Sequence, residues 1–142
     1  MSTPKIIIDT NVLASGLRSR RGASFRLLSR LGSAEFTVVL TVPLVIEYEK
    51  TLRNPRVGVP FSADEVGRYL DYLCCVAEPR RVHFLWRPFL ADQKDDMVLE
   101  AAVNGECHYI VTFNLAHFGG TGRFGVAAVL PRDLLTKLGD SR

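Results

Sequence analysis

A chain of 142 residues with 47% hydrophobic and 23% charged side chains has the composition of a folded globular unit and excludes a disordered or fibrous one. It is long enough to bury one core, and residues 1–142 are expected to form a single domain. Eighteen basic and fifteen acidic side chains leave a formal charge of +3, which tolerates a polyanionic partner without identifying one.

The first element is a strand, Lys5 to Asp9, whose run Ile6-Ile7-Ile8 is apolar without alternation. Further strands are expected at Glu35 to Thr41, Tyr109 to Thr112 and Val126 to Leu130, with a weaker one near Cys75 to Glu78. Between them helical patterns cover Ala23 to Leu31, Pro43 to Arg53, Ala63 to Leu73, Asp95 to Asn104 and Pro131 to Leu138. Val66, Tyr69, Leu70 and Leu73 make one stripe that reads as core packing. Strands without polar alternation suit a parallel sheet covered by helices on both faces, so the predicted architecture is a three-layer α/β/α sandwich. Gly119-Gly120-Thr121-Gly122 reads as a flexible loop, because no phosphate-binding glycine motif surrounds it.

Only three isoleucines follow the short N-terminal stretch, too few for a signal-peptide core, and no later apolar run is long enough to span a bilayer. A soluble, cytoplasmic protein with no membrane partner is expected. Cys74, Cys75 and Cys107 are odd in number and include no CxxC, which excludes a disulfide framework and a zinc site of that kind. Set among apolar residues, all three are expected to be inert packing groups.

In an open parallel sheet, functional groups collect past the carboxyl ends of the strands. Here that edge carries Asp9, Thr10, Asn11, Thr112 and Asn114, while neighbouring helices bring Glu47, Asp92, Asp95 and Asp96. Crowded carboxylates repel unless a hard cation such as magnesium or manganese joins them, and such a cation activates water and neutralises charge on a phosphodiester. Each acid also has an ordinary reading. Asp9 could cap the next helix, the aspartates from 92 to 96 could meet a helix dipole, and either Glu47 or Glu49 could be a solvated surface charge. Helical spacing does not choose between the two glutamates. Arg18, Arg20 and Arg21 are candidate phosphate contacts, or only a solvated turn.

Four blocks together resemble the PIN-domain family, in particular the toxin components of bacterial toxin-antitoxin systems. They are Ile6 to Leu13, Val42 to Leu52, Asp92 to Leu99 and Tyr109 to Phe118. The resemblance implies a parallel sheet of about five strands and an acidic pocket holding Mg2+ or Mn2+ for RNA cleavage. It maps the family's metal-binding and catalytic acids to Asp9, Glu47 and Asp96, turns Glu49 into a surface residue, and gives Asp92 and Asp95 supporting roles. Asn11, Thr112 and Asn114 would support the metal shell, and His117 is a candidate substrate contact. The chain departs from the family at Asn114, where many members have an aspartate, and at His117, where a further acid is common. That departure keeps open a degenerate domain that binds RNA or a protein without cutting. A haloacid-dehalogenase-type phosphatase is disfavoured, because its second aspartate would fall at Asn11. The resemblance also implies a cognate antitoxin and a homodimer.

Overall fold

The computed structural model describes residues 3–82 and 90–139. Five strands form one all-parallel sheet: β1 (Lys5–Ile8), β2 (Thr37–Leu40), β3 (Glu78–Pro79), β4 (Tyr109–Val111) and β5 (Ala127–Val129), in the order β3-β2-β1-β4-β5. Among the described residues six α-helices accompany it: α1 (Thr10–Arg18), α2 (Ala23–Leu28), α3 (Val42–Leu52), α4 (Ala63–Val76), α5 (Gln93–Asn104) and α6 (Pro131–Lys137). The expected α/β sandwich is therefore found. β1 lies at the centre because its three isoleucines are almost fully buried, which a strand achieves only when covered on both faces. From β1 the chain steps outward to β2 and β3, then returns to β4 on the opposite side, so the strand order reverses between β1 and β4. Such a reversal opens a crevice at the carboxyl ends of those two strands.

The register is set by Ile6 opposite Tyr109, Ile7 opposite Ile110 and Ile8 opposite Val111. Asp9 continues the ladder, its amide donating to the Val111 carbonyl at 2.9 Å. On the other side of the crevice, Tyr48 of α3 is buried and donates its phenol hydrogen to the Ile8 carbonyl, fixing α3 against the end of β1.

The sequence gives no expectation of α1. Its residues include Thr10, Asn11, Ser15 and Gly16, all weak helix formers. Packing holds it instead: Val12, Leu13 and Ala14 are buried, and a Cβ at Gly16 would lie 2.4 Å from Leu28 Cδ1, so glycine permits the close approach of α2. Three strands end one residue before the expected position because that residue, Asp9, Thr41 or Leu130, takes the N-cap position of the next helix. Thr41 caps α3, its hydroxyl accepting from the Leu44 amide. The α4 helix runs past Leu73 to Val76, so the weak strand moves to Glu78–Pro79. Its start is fixed by a capping box between Ser62 and Glu65. Val66, Leu70 and Leu73 of its stripe are core residues.

Cys74 and Cys75 depart from the expected packing role: they lie off that stripe and are exposed. Cys107 is buried, and burial pushes its thiol up to about 12, as an inert core group requires. The glycine cluster contains a short 3-10 turn, Thr121–Phe124, flanked by left-handed Gly120 and Gly125. Among the described residues no helix is long and apolar enough to cross a membrane.

Ile7→Ala should cost about 2–5 kcal/mol, because it empties a fully buried site in the central strand. Ile46→Ala, on a side chain that is 59% exposed, should change stability by no more than about 0.5 kcal/mol. Urea unfolding of the two variants measures the contrast.

Candidate metal centre at the carboxyl edge of the sheet

Asp9 occupies the N-cap position of α1, yet its side chain does not cap that helix. Its Oδ2 instead accepts a 2.7 Å hydrogen bond from Thr112 Oγ1, at the end of β4. Thr112 Oγ1 in turn accepts from the Asn114 amide at 3.0 Å, so the hydroxyl's one hydrogen is committed to Asp9. Burial raises the Asp9 carboxyl above its ordinary value. The Thr112 and Thr10 bonds and the charge of His117 oppose that rise, while Asp92 adds to it.

The cleft beside Asp9 has a volume of about 360 Å³ and is walled by four carboxylates, those of Asp9, Glu47, Asp92 and Asp95. Asp95 is also raised, chiefly by burial and then by the charges of Asp9 and Asp92. Asp95, on the first turn of α5, therefore feels the charge of Asp9 at the end of β1. Two lysines and a histidine face them. His117 Nδ1 lies 3.2 Å from Asp95 Oδ2, Lys94 Nζ lies 3.8 Å from Glu47 Oε2, and Lys50 is in the wall. Glu47 also accepts from the Thr51 hydroxyl at 3.0 Å.

The expected residues distribute as follows. Asp9, Asn11, Glu47, Asp92, Asp95, Asn114 and His117 all line the cleft, and Thr112 stands behind Asp9. Glu49 faces away and pairs with Arg53. Asp92 is the N-cap of α5 and accepts from the Lys94 amide, so capping occupies one of its oxygens. Asp96 departs from its expected place. Helix α5 begins at Gln93, and one further residue turns a side chain about 100° around the axis. That step sends Asp96 into the protein, where it is 2% exposed and accepts from the Leu90 amide at 2.8 Å. The adjacent Asp95 takes the wall of the cleft.

The basic cluster divides. Arg18 donates to the Val57 carbonyl at 3.0 Å and so braces the rim, Arg20 is exposed away from the cleft wall, and Arg21 lines a different cleft. Sequence reasoning missed Lys50, Thr51 and Asn54, which follow Glu47 at helical spacings of three, four and seven. That periodicity was the available signal. Lys94 was missed because its neighbours are acidic.

Among the described residues no three histidine, cysteine or acidic side chains are grouped closely enough to complete a cation shell as they stand. The donor set nevertheless suits magnesium or manganese, which take hard oxygen ligands, keep several waters and need only one or two carboxylates. Asp9 and Asp95 supply two, and the Asp9 charge raises the cost of ionising Asp95. A divalent cation between them would remove that cost.

A family model described as PIN domain matches residues 5–116, from β1 to the turn after β4. No curated protein matches the chain.

The raised Asp9 and Asp95 pKa values set the sign of a pH effect. The folded chain holds these protons more tightly than the unfolded chain, so this contribution is full below the ordinary value of 3.8 and is lost as the pH rises through the folded value. In EDTA, Asp9→Asn should therefore melt above the unmutated chain at pH 7, with the gap closing as the pH falls toward about 4. Thermal melts across that range check it, and an equal or lower Tm at pH 7 would contradict it.

Proposed function

Because the chain belongs to the PIN-domain family, whose members are in general metal-dependent nucleases, we propose that it hydrolyses RNA phosphodiester bonds with Mg2+ or Mn2+ in the Asp9 cleft. The observation that carries this reading is the convergence of Asp9, Glu47, Asp92 and Asp95 on one cleft at the carboxyl edge of the sheet. A bound cation would lower the pKa of a water and neutralise charge developing on the phosphate.

The chain's own groups then have separate tasks. Asp9 offers the cation its Oδ1, since Oδ2 is held by Thr112. Asp95 offers the second carboxylate, in place of Asp96. Glu47, with one oxygen on Thr51, orients the attacking water and takes its proton. Lys94 and His117 exchange their carboxylate partners for phosphate oxygens when substrate enters. Asn114 brings a carbonyl oxygen without charge, which favours one cation over two.

In this reading the protein is the toxin of a bacterial toxin-antitoxin pair and works in the cytoplasm. Its cognate antitoxin covers the acidic cleft or inserts a basic side chain, and the toxin itself pairs as a homodimer. Asn114 favours one second reading, a degenerate domain that binds RNA without cutting it.

The test uses EDTA-stripped protein, a mixed RNA pool and added magnesium or manganese. Asp9→Asn and Asp95→Asn should each lower metal-dependent cleavage by at least about 100-fold. Asp96→Asn keeps an oxygen for the Leu90 amide and should retain cleavage. An inactive Asp96→Asn beside an active Asp95→Asn would return the ligand role to Asp96. RNA binding without cleavage at any metal concentration would support the degenerate reading.

Thr112→Val leaves Asp9 Oδ2 without its donor and should weaken manganese binding about 10–100-fold, measured by calorimetry.

A further inference from the structure

Three successive residues leave β4 with different surroundings. Thr112 bonds Asp9 and Asn114 lines the Asp9 cleft, whereas the intervening Phe113 lines a second cleft of about 450 Å³. Phe113 is 45% exposed, an unusual state for a phenyl ring that follows a core strand. Two guanidinium groups stand in the same wall. Among the described residues no ion pair holds Arg21, and Arg132 has only a 3.9 Å contact from Nε to Asp133 on a side chain that is 76% exposed. Ser24 of α2 also borders this cleft, but its side chain is buried and its Oγ is sealed from solvent, so it packs the wall and offers the cleft no hydroxyl.

An open aromatic face and two cations match two parts of one nucleotide, its base and the flanking phosphates. We infer that this second cleft binds the nucleotide next to the scissile phosphate of single-stranded RNA. The base stacks on Phe113, and Arg21 and Arg132 hold phosphate. The inference rests on the nuclease reading for its choice of RNA and for placing the scissile phosphate in the Asp9 cleft. The β4 turn then divides the labour, with metal-site groups on one side and a base platform on the other. A duplex cannot use such a platform, because its bases are already stacked on one another.

Binding is measured by fluorescence anisotropy of a 5′-fluorescein decauridylate in EDTA, so that affinity is read apart from cleavage. Phe113→Ala should weaken binding about tenfold, and Phe113→Trp should restore it. Arg21→Glu and Arg132→Glu should each weaken binding and flatten its salt dependence. All three positions changed are at the cleft surface, and circular dichroism should show the fold intact. An unlabelled RNA duplex should compete poorly. Equal affinity of the unmutated chain and Phe113→Ala would overturn the inference, as would a duplex or decaglutamate that competes as well as the single strand. Phe113-dependent binding with no metal-dependent cleavage would uphold the subsite and remove the nuclease reading. Metal-dependent cleavage with an unchanged KM in Phe113→Ala would do the reverse.

Discussion

The 2.7 Å bond from Thr112 Oγ1 to Asp9 Oδ2 ties the ends of two strands that are neighbours in space and 103 residues apart in sequence. It exists only if β1 and β4 pair in the register that sets Ile8 against Val111. A slip of one residue would turn alternate side chains to the opposite face, breaking this bond and exposing part of the isoleucine core together. Core and site therefore depend on the same alignment. Around that bond the remaining acids arrive on separate supports, Glu47 on α3 and Asp92 and Asp95 at the start of α5. The shape of the cleft thus depends on how α3 and α5 sit over the ends of β1 and β4, which the Tyr48 bond to Ile8 helps to fix.

Electrostatic balance explains the cationic side chains in the same cleft. Four carboxylates in one concavity would resist folding, and their charges are offset by Lys50 and Lys94, with His117 beside Asp95. Lys94 and His117 are tied to the acids that the proposed chemistry needs free, Glu47 and Asp95. Lys94 is well exposed and sits on the first turn of α5, so releasing it costs little packing. The arrangement keeps the acids ionisable without a metal while leaving their partners able to move. The cost that remains falls on Asp9, which is buried beneath them and has no cationic partner within ion-pair distance among the described residues.

Much of this was legible in the sequence, for identifiable physical reasons. The uninterrupted isoleucines of β1 and the β-branched runs of β2 and β4 can satisfy their apolar surface only in a covered sheet, so the sandwich follows from them. Helix α1 was not legible, because its stability comes from packing against α2 and not from propensity: Gly16, a helix breaker by composition, is there to admit Leu28. The exposure of Cys74 and Cys75 was hidden in the same way, since their facing depends on α4 continuing beyond Leu73. In the site, Asp95 and Asp96 differ by a single helical step, and the choice between them turns on where α5 begins. Sequence marks that start only loosely, because Asp92, Asp95 and Asp96 all suit a first turn.

The turn after β4 joins these observations. Its backbone must satisfy Thr112, whose amide donates to the Val129 carbonyl and whose hydroxyl is fixed by the Asn114 amide. With the backbone on either side of it committed in this way, Phe113 is carried to the far side of the turn from Asp9. An apolar ring placed there gains nothing from the core, and the second cleft leaves nearly half of its surface open. The hydrogen bonding that orients the proposed metal ligand thereby also sets the ring at a fixed offset from it. A phosphodiester chain has the same alternation, with a base set to one side of each phosphate. The geometry of the turn gives a physical reason for the two clefts to act on one strand.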